Sequence, residues 1–279
     1  MSDNKNCSGN CGSCTTEDKT DCLIGQSLEK IHHKLVVISG KGGVGKSTVA
    51  VNIAAALAHS GQRTGLLDLD FHGPSVPKMF DLESARPESL DGRVLPVLSG
   101  GVEVMSIGFL LEHPDDPVIW RGPMKIGVIR QMFTDVNWGE LDWLVVDCPP
   151  GTGDEPLTIC QMLAKSEGAA AVIVTTPQQV AAADVAKSLN FCRQLDFPVA
   201  GVIENMSGFV CPKCGEWTGI FASGGGEKLA NDYGVEFLGR VPIDPAICCS
   251  GDAGEPFVLD EKKASAQEFR RIVDKIVVR

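Results

Sequence analysis

The sequence predicts a doubly wound α/β domain with a mainly parallel sheet, behind a short cysteine-rich N-terminal tail. Three observations carry this expectation. Continuous apolar runs alternate with segments of helical periodicity, the pattern of repeated βαβ units. A glycine-rich string stands between the first such run and the first such helix. The opening stretch is polar, aperiodic and holds four cysteines.

Residues 1–22 are rich in Ser, Asn, Thr, Gly and Asp. Such a segment buries too little apolar area to offset its chain entropy, so order there would have to come from a metal. A short helix is expected over 23–33, with Leu23, Ile24, Leu28 and Ile31 on one face. Residues 1–33 thus read as tail and linker helix, and 34–279 as the main domain. Leu35-Val36-Val37-Ile38 reads as a strand buried on both faces. Further strands are expected at 64–70, 102–107, 141–147, 169–175, 199–204 and 237–241, and helices at 47–59, 125–136, 156–165, 180–194 and 226–232. Residues 81–96 read as loop. A last helix over 262–277 places Phe269, Ile272, Val273, Ile276 and Val277 at helical spacing, as for a helix closing on the sheet.

The chain has 279 residues and a formal net charge of −11, which argues against nucleic acid or anionic membrane as a partner. No apolar run reaches the ~18 residues of a membrane span. The first residues lack the apolar core of a signal peptide, so a cytoplasmic location is expected. Eleven cysteines are many for a reducing compartment. Where they cluster, metal or cluster ligation is the better reading than disulfides. Cys7, Cys11, Cys14 and Cys22 form one group, and Cys211 and Cys214 another. Cys148, Cys160 and Cys192 fall inside strand or helix patterns and are expected as small buried hydrophobes.

Residues 39–48, Ser-Gly-Lys-Gly-Gly-Val-Gly-Lys-Ser-Thr, follow the first strand and open a helix, the context of a phosphate-binding loop. Gly40, Gly42, Gly43 and Gly45, with Val44 and Thr48, let backbone N–H groups curl around phosphate oxygens at a helix N-terminus. Lys46 would neutralise the β- and γ-phosphates, and the Ser47 hydroxyl would ligate Mg²⁺. Leu144-Val145-Val146-Asp147 is an apolar strand ending in an acid, so Asp147 would hold Mg²⁺ through water. Together these make a P-loop NTPase fold. Asp68 and Asp70 end the second long strand, at the edge where open α/β sheets place ligands. Asp70 is the favoured group for orienting or deprotonating the attacking water; a strand-end acid capping the next turn is the alternative.

The additional Lys41, in GKGGVGKST, resembles the deviant Walker A ATPases, which include the Min and Par positioning ATPases and the nitrogenase iron protein. That resemblance implies a homodimer sandwiching nucleotide, with Lys41 reaching the partner's nucleotide. The strings DLDFHGPSVP (68–77), WRGPM (120–124), DCPPGTGD (147–154), ENMS (204–207) and CPKCG (211–215) resemble the Mrp/ApbC family of iron–sulfur cluster carriers. The match spans nearly everything from Lys34 to Pro256. It implies that Asn205 contacts the adenine base and that the Arg121 motif lines the nucleotide or switch region.

Cys211 and Cys214 form a CxxC knuckle (211–214), half of a four-ligand site. Two copies at a dimer axis would complete it, and the resemblance implies a labile 4Fe–4S cluster bridging the two subunits. A zinc ribbon completed by Cys248 and Cys249, or a free redox pair, are the alternatives; thiolates serve either metal. The four tail cysteines suffice for a 4Fe–4S site within one chain, with zinc as the alternative. The tail resembles the branch that includes the eukaryotic cytosolic scaffold, with an unusually short gap between Cys7 and Cys11. The implied function is an ATP-hydrolysing scaffold that hands its cluster to apo iron–sulfur client proteins, with a second assembly subunit as a further partner. An ATP-driven electron donor like the nitrogenase iron protein and a Min/Par-type positioning ATPase are the alternatives.

Overall fold

The computed structural model describes residues 16–111, 113, 120–211, 213–214, 216–221 and 223–278. Helix α1 (Thr16–Leu28) leads into β1 (Ile31–Ile38), the phosphate loop and α2 (Lys46–His59). β2 (Thr64–Asp68) is followed by the short α3 (Val76–Met79), a hairpin of β3 (Ser89–Leu90) and β4 (Arg93–Val94), and then β5 (Val97–Ser99) and β6 (Val102–Ser106). α4 (Gly122–Thr134), β7 (Leu141–Asp147), α5 (Asp154–Leu163), β8 (Ala169–Thr175), α6 (Gln179–Gln194) and β9 (Val199–Glu204) continue the alternation. A second hairpin, β10 (Phe209–Val210) and β11 (Trp217–Thr218), precedes α7 (Gly225–Tyr233), β12 (Phe237–Arg240), α8 (Pro245–Asp252) and α9 (Ala264–Val277).

The eight-stranded sheet runs β12-β9-β8-β1-β7-β2-β6-β5. All its pairings are parallel except β5 with β6 at the edge. The phosphate-loop strand β1 is central, and its residues Leu35 to Ile38 are almost wholly buried, as expected of a strand covered by helices on both faces. α2 is apolar nearly all round, with Val49, Ile53 and Leu57 in the core. α9 buries Phe269, Ile272, Val273 and Ile276 and packs on β12, the closing position its periodicity predicts.

The seven expected sheet strands are all present. The expected helix over 23–33 is corrected. The helix runs Thr16–Leu28, and β1 begins at Ile31, so residues 32 and 33 are extended. Ile24 and Leu28 join the main hydrophobic core, and the β-branched Ile31 pairs with Leu141 of β7. Lys30 O also accepts a hydrogen bond from Leu141 N, so sheet pairing overrides the helical spacing at this end. α8 and the antiparallel β5 lie outside the expected elements. α8 has a local signal in Asp244-Pro245: the Asp244 carboxylate accepts from Ala246 N (2.9 Å) as an N-cap, and proline stands at the first helical position.

Candidate functional site

After Ile38 the chain turns through residues 39–45 before α2 begins. Gly43 (φ 77°) and Gly45 (φ 81°) take left-handed backbone that a side chain rarely adopts. At Gly45 a Cβ would in addition collide with the Asn205 carboxamide. No side chain caps α2, so its first N–H groups are left for a ligand in the loop's hollow. Lys41, Lys46, Ser47, Thr48, Asp70 and Pro150 line a cavity of about 200 Å³ there.

The charges beneath the loop are arranged by the sheet. Asp68 and Asp147 end β2 and β7 in direct register, and both are fully buried. The Lys46 side chain, 6% exposed, reaches Asp147 Oδ1 at 2.5 Å and Asp70 Oδ2 at 3.5 Å. Burial alone would depress the Lys46 ammonium, but Asp147 and Asp70 outweigh it and raise its pKa, keeping it cationic. Burial, and then the Asp147 charge, push Asp68 up to about 7. Ser106 Oγ (2.9 Å) and the Asp70 N–H (3.1 Å) donate to Asp68. Burial also raises Asp147, against the pull of Lys46.

Three carboxylates therefore share one ammonium. Asp147 Oδ2 is buried without a hydrogen-bond partner among the described residues. Mg²⁺ prefers oxygen donors and keeps several of its waters beside phosphates. An orphaned carboxylate oxygen near the Ser47 hydroxyl, itself 3.4 Å from Lys46 Nζ, fits that ion.

A larger cavity of about 670 Å³ adjoins the first and shares Gly45, Thr48, Ser75 and Met79 with it. Asn205, Pro242 and Asp244 are among its other walls. The Asn205 amide donates to Val44 O (2.8 Å), so this side chain joins the end of β9 to the phosphate loop. Gly40 plays a packing part: a Cβ there would lie 2.5 Å from the Asp184 carbonyl oxygen of α6.

Lys125 is a functional candidate that the sequence reading passes over. It is nearly buried, with Nζ 2.9 Å from Glu155 Oε1, 3.2 Å from His72 Nε2 and 5.5 Å from the Phe71 ring centre. The backbone N–H of His72 donates to Asp70 Oδ1 (3.2 Å). One ammonium thus ties the Asp70 turn to the start of α5, directly after the Pro149-Pro150-Gly151 turn. Burial works to raise Glu155, but the hydrogen bond from Lys125 brings it below the usual range. The signal was a lysine on the buried face of a predicted helix. Arg121 does not line either cavity: it is exposed at the N-cap of α4. Its neighbour Trp120 packs edge-on against Phe71 at 5.8 Å, so the motif reaches the Asp70 turn through Trp120 and Lys125.

The cysteine pair lies on the β10–β11 hairpin. Cys211 N donates to Glu216 O (2.9 Å), which closes the turn. The N–H groups of Cys214 and then Lys213 point at the Cys211 sulfur and hold its thiol below the usual range. Cys214 is exposed and Cys211 half-buried. Among the described residues no cluster of three or more His, Cys, Asp or Glu is poised for a metal, so Cys248 and Cys249, exposed on α8, do not complete this site. Cys148, Cys160 and Cys192 are fully buried, as expected, and burial pushes each thiol up, Cys192 to about 11. Of the tail group, Cys7, Cys11 and Cys14 lie outside the described residues, while Cys22 sits in α1.

A profile of the family described as NUBPL iron-transfer P-loop NTPase matches residues 30–277. The chain belongs to this family. It is 49% identical to an iron-sulfur cluster carrier protein of Methanocaldococcus jannaschii, over 97% of this chain and 96% of that one. It is 48% identical to the cytosolic Fe-S cluster assembly factor NUBP2 of Gallus gallus, covering 86% and 89% of the two chains. Among solved structures, a nucleotide-binding protein from Archaeoglobus fulgidus in complex with ADP aligns with a TM-score of 0.76 and 42% identity, over 89% of this chain and 96% of that one. The cell division ATPase MinD of Pyrococcus furiosus aligns at a TM-score of 0.64 with 19% identity, over 88% and 99% of the chains, a likeness of fold alone. This chain thus shares its fold with that cell division ATPase, and no described helix is long and apolar enough to cross a membrane.

Proposed function

We propose that this protein is an ATP-hydrolysing carrier that binds an iron–sulfur cluster through Cys211 and Cys214 and delivers it to apo iron–sulfur proteins in the cytoplasm. The observation that carries the reading is the Cys211 turn. Two backbone N–H groups converge on a sulfur whose thiol is thereby held low, in the same chain as a complete phosphate loop. Thiolates are the ligands of such clusters, and two cysteines are half of the usual set. A second copy of the chain would supply the other half, which makes the carrier a homodimer. The carrier and assembly-factor names of relatives close to half identical agree with this reading.

At the other end, Lys46 and the N–H groups of residues 40–48 hold the phosphates, with the adenine beside Asn205. Mg²⁺, held by Ser47 and by Asp147 through water, would supply charge neutralisation on the phosphate oxygens. Asp70 accepts from the attacking water and orients it toward the γ-phosphate, while Lys41 and Lys46 stabilise charge that develops there. His72 and Lys125 hold the Asp70 turn in place. Lys41 lines the phosphate cavity and is the residue suited to reach a partner's nucleotide.

The test is anaerobic reconstitution with iron and sulfide, followed by transfer to a purified apo 4Fe–4S enzyme whose regained activity is measured. The wild-type protein is expected to restore activity, and Cys211→Ser/Cys214→Ser to fail. A double variant that transfers as well as wild type would overturn the reading.

A further inference from the structure

The cavity beside the phosphate loop has a wall that nucleotide chemistry does not require. Ile220 and Phe221, directly after the cysteine hairpin, line it together with Asn205 and Pro242. The two side chains are 51% and 38% exposed, and so stand at the mouth of the cavity and not in the core. The cavity adjoins the phosphate site and shares Gly45, Thr48, Ser75 and Met79 with it, so a nucleotide whose phosphates sit in the loop would place its base and ribose here.

The backbone makes this wall one piece with the cysteines. Val210 pairs with Trp217 and Phe209 with Thr218 in the hairpin, and Ile220 N donates to Thr218 O (3.1 Å). The hairpin is fixed to the cavity floor by Ile243 N to Gly208 O (2.8 Å) and Ser207 N to Val241 O (2.9 Å). Glu204, wholly buried, anchors both ends of the insertion. Ser207 Oγ (2.5 Å) and Gly224 N (3.0 Å) donate to its Oε1, and Gly226 N (2.6 Å) to its Oε2.

We infer that Ile220 and Phe221 are nucleoside-contact residues, and that through them nucleotide occupancy and metal loading of Cys211 and Cys214 alter one another. The inference rests on the carrier reading and deepens it, by naming the path between its two sites. Filling the cavity presses on a strap that is contiguous with the hairpin. Drawing Cys211 and Cys214 onto a metal re-sets the same strap from the other end. Coupling of this kind is reciprocal: the factor by which cluster loading changes ATP affinity equals the factor by which ATP changes cluster affinity.

The experiment is a fluorescence titration with an N-methylanthraniloyl ATP analogue labelled on the ribose, competed with unlabelled ATP and with inorganic triphosphate. It is run on apo and iron–sulfur-reconstituted full-length protein, wild type and Phe221→Ala/Ile220→Ala. Loading is expected to change the wild-type ATP Kd by about 5-fold or more, the lower end of typical allosteric coupling. The double variant is expected to bind ATP roughly 5- to 10-fold more weakly, as for loss of an aromatic contact and an aliphatic one. Its affinity for inorganic triphosphate should stay unchanged, which also verifies an intact phosphate loop, and its loading effect should shrink toward none. Unchanged ATP affinity in the variant, equal weakening of ATP and triphosphate, or a loading effect that survives in full would overturn the inference while leaving the carrier reading in place. A wild-type protein that binds no nucleotide would sink both.

Discussion

At the phosphate loop Lys46 and Asp147 are buried and paired within one chain, whereas at the cysteine hairpin Cys211 is half-buried and Cys214 exposed, and the proposed site is only half supplied by the described residues of one chain. On the proposed function, the difference follows from what each holds. Triphosphate is a stable ligand that arrives whole, so a preorganised cradle of amides and one buried cation serves it best. A cargo that must be given away needs ligands that solvent and an acceptor can reach. The contrast lies in exposure and not in backbone definition: Gly45 is locked by its backbone angle and by Asn205, and Gly208 at the hairpin likewise by its angle and by Trp217.

The sharpest way to break this contrast is Lys46→Ala. It leaves the carboxylates of Asp68, Asp70 and Asp147 without their shared cation, and ATP hydrolysis is expected to fall by at least about 10²-fold, as for loss of a preorganised charge. Steady-state phosphate release measures it, and the apo protein's Cys211 and Cys214 should still take up iron. Next comes Asp70→Asn, expected to lower kcat by roughly 10² with KM nearly unchanged, because the group acts on the water and not on bound nucleotide. A rise in KM alone would return Asp70 to the role of a turn cap. Lys125→Met should lower kcat by about 10-fold and should lose most of that effect in a Glu155→Gln background, since the two act as a pair.

A pH titration of stability examines the buried end alone. In nucleotide-free, magnesium-free protein, Asp68 titrates near 7 when folded against an ordinary 3.8. The folded state then keeps a proton that the unfolded chain releases, so this group's contribution to stability declines as pH rises from about 4 to about 7. Thermal unfolding across that window should show the decline in wild type and a flatter profile in Asp68→Asn. The smallest effect is expected for Cys192→Ala, which removes a buried sulfur that lines neither cavity and should cost about 1 kcal/mol of stability with hydrolysis and cluster loading intact.

Much of this was legible in the chain. The β1 strand, the left-handed glycines, Lys46 and Asp147 are specified by local pattern, because a phosphate cradle demands a fixed spacing along one strand–loop–helix unit. The CPKC turn is legible for the same reason. What was not legible depends on contacts between distant segments. Lys125 meets His72 and Glu155 only when α4 packs beside α5, and Glu204 gathers the ends of the cysteine insertion only once β9 and α7 are adjacent. The start of β1 is hidden in the sequence because Leu28 and Ile31 keep helical spacing, while pairing of Ile31 with Leu141 decides the outcome.

The proposed homodimer requires that each chain offer half a cluster site. Native mass spectrometry of the anaerobically reconstituted protein, wild type beside Cys211→Ser/Cys214→Ser, tests this most directly. The expected wild-type species is a dimer carrying one cluster that the double variant lacks, whatever the tail cysteines bind in both. A monomer carrying a Cys211-dependent metal by itself, or a dimer whose metal content is the same in the variant, would contradict it.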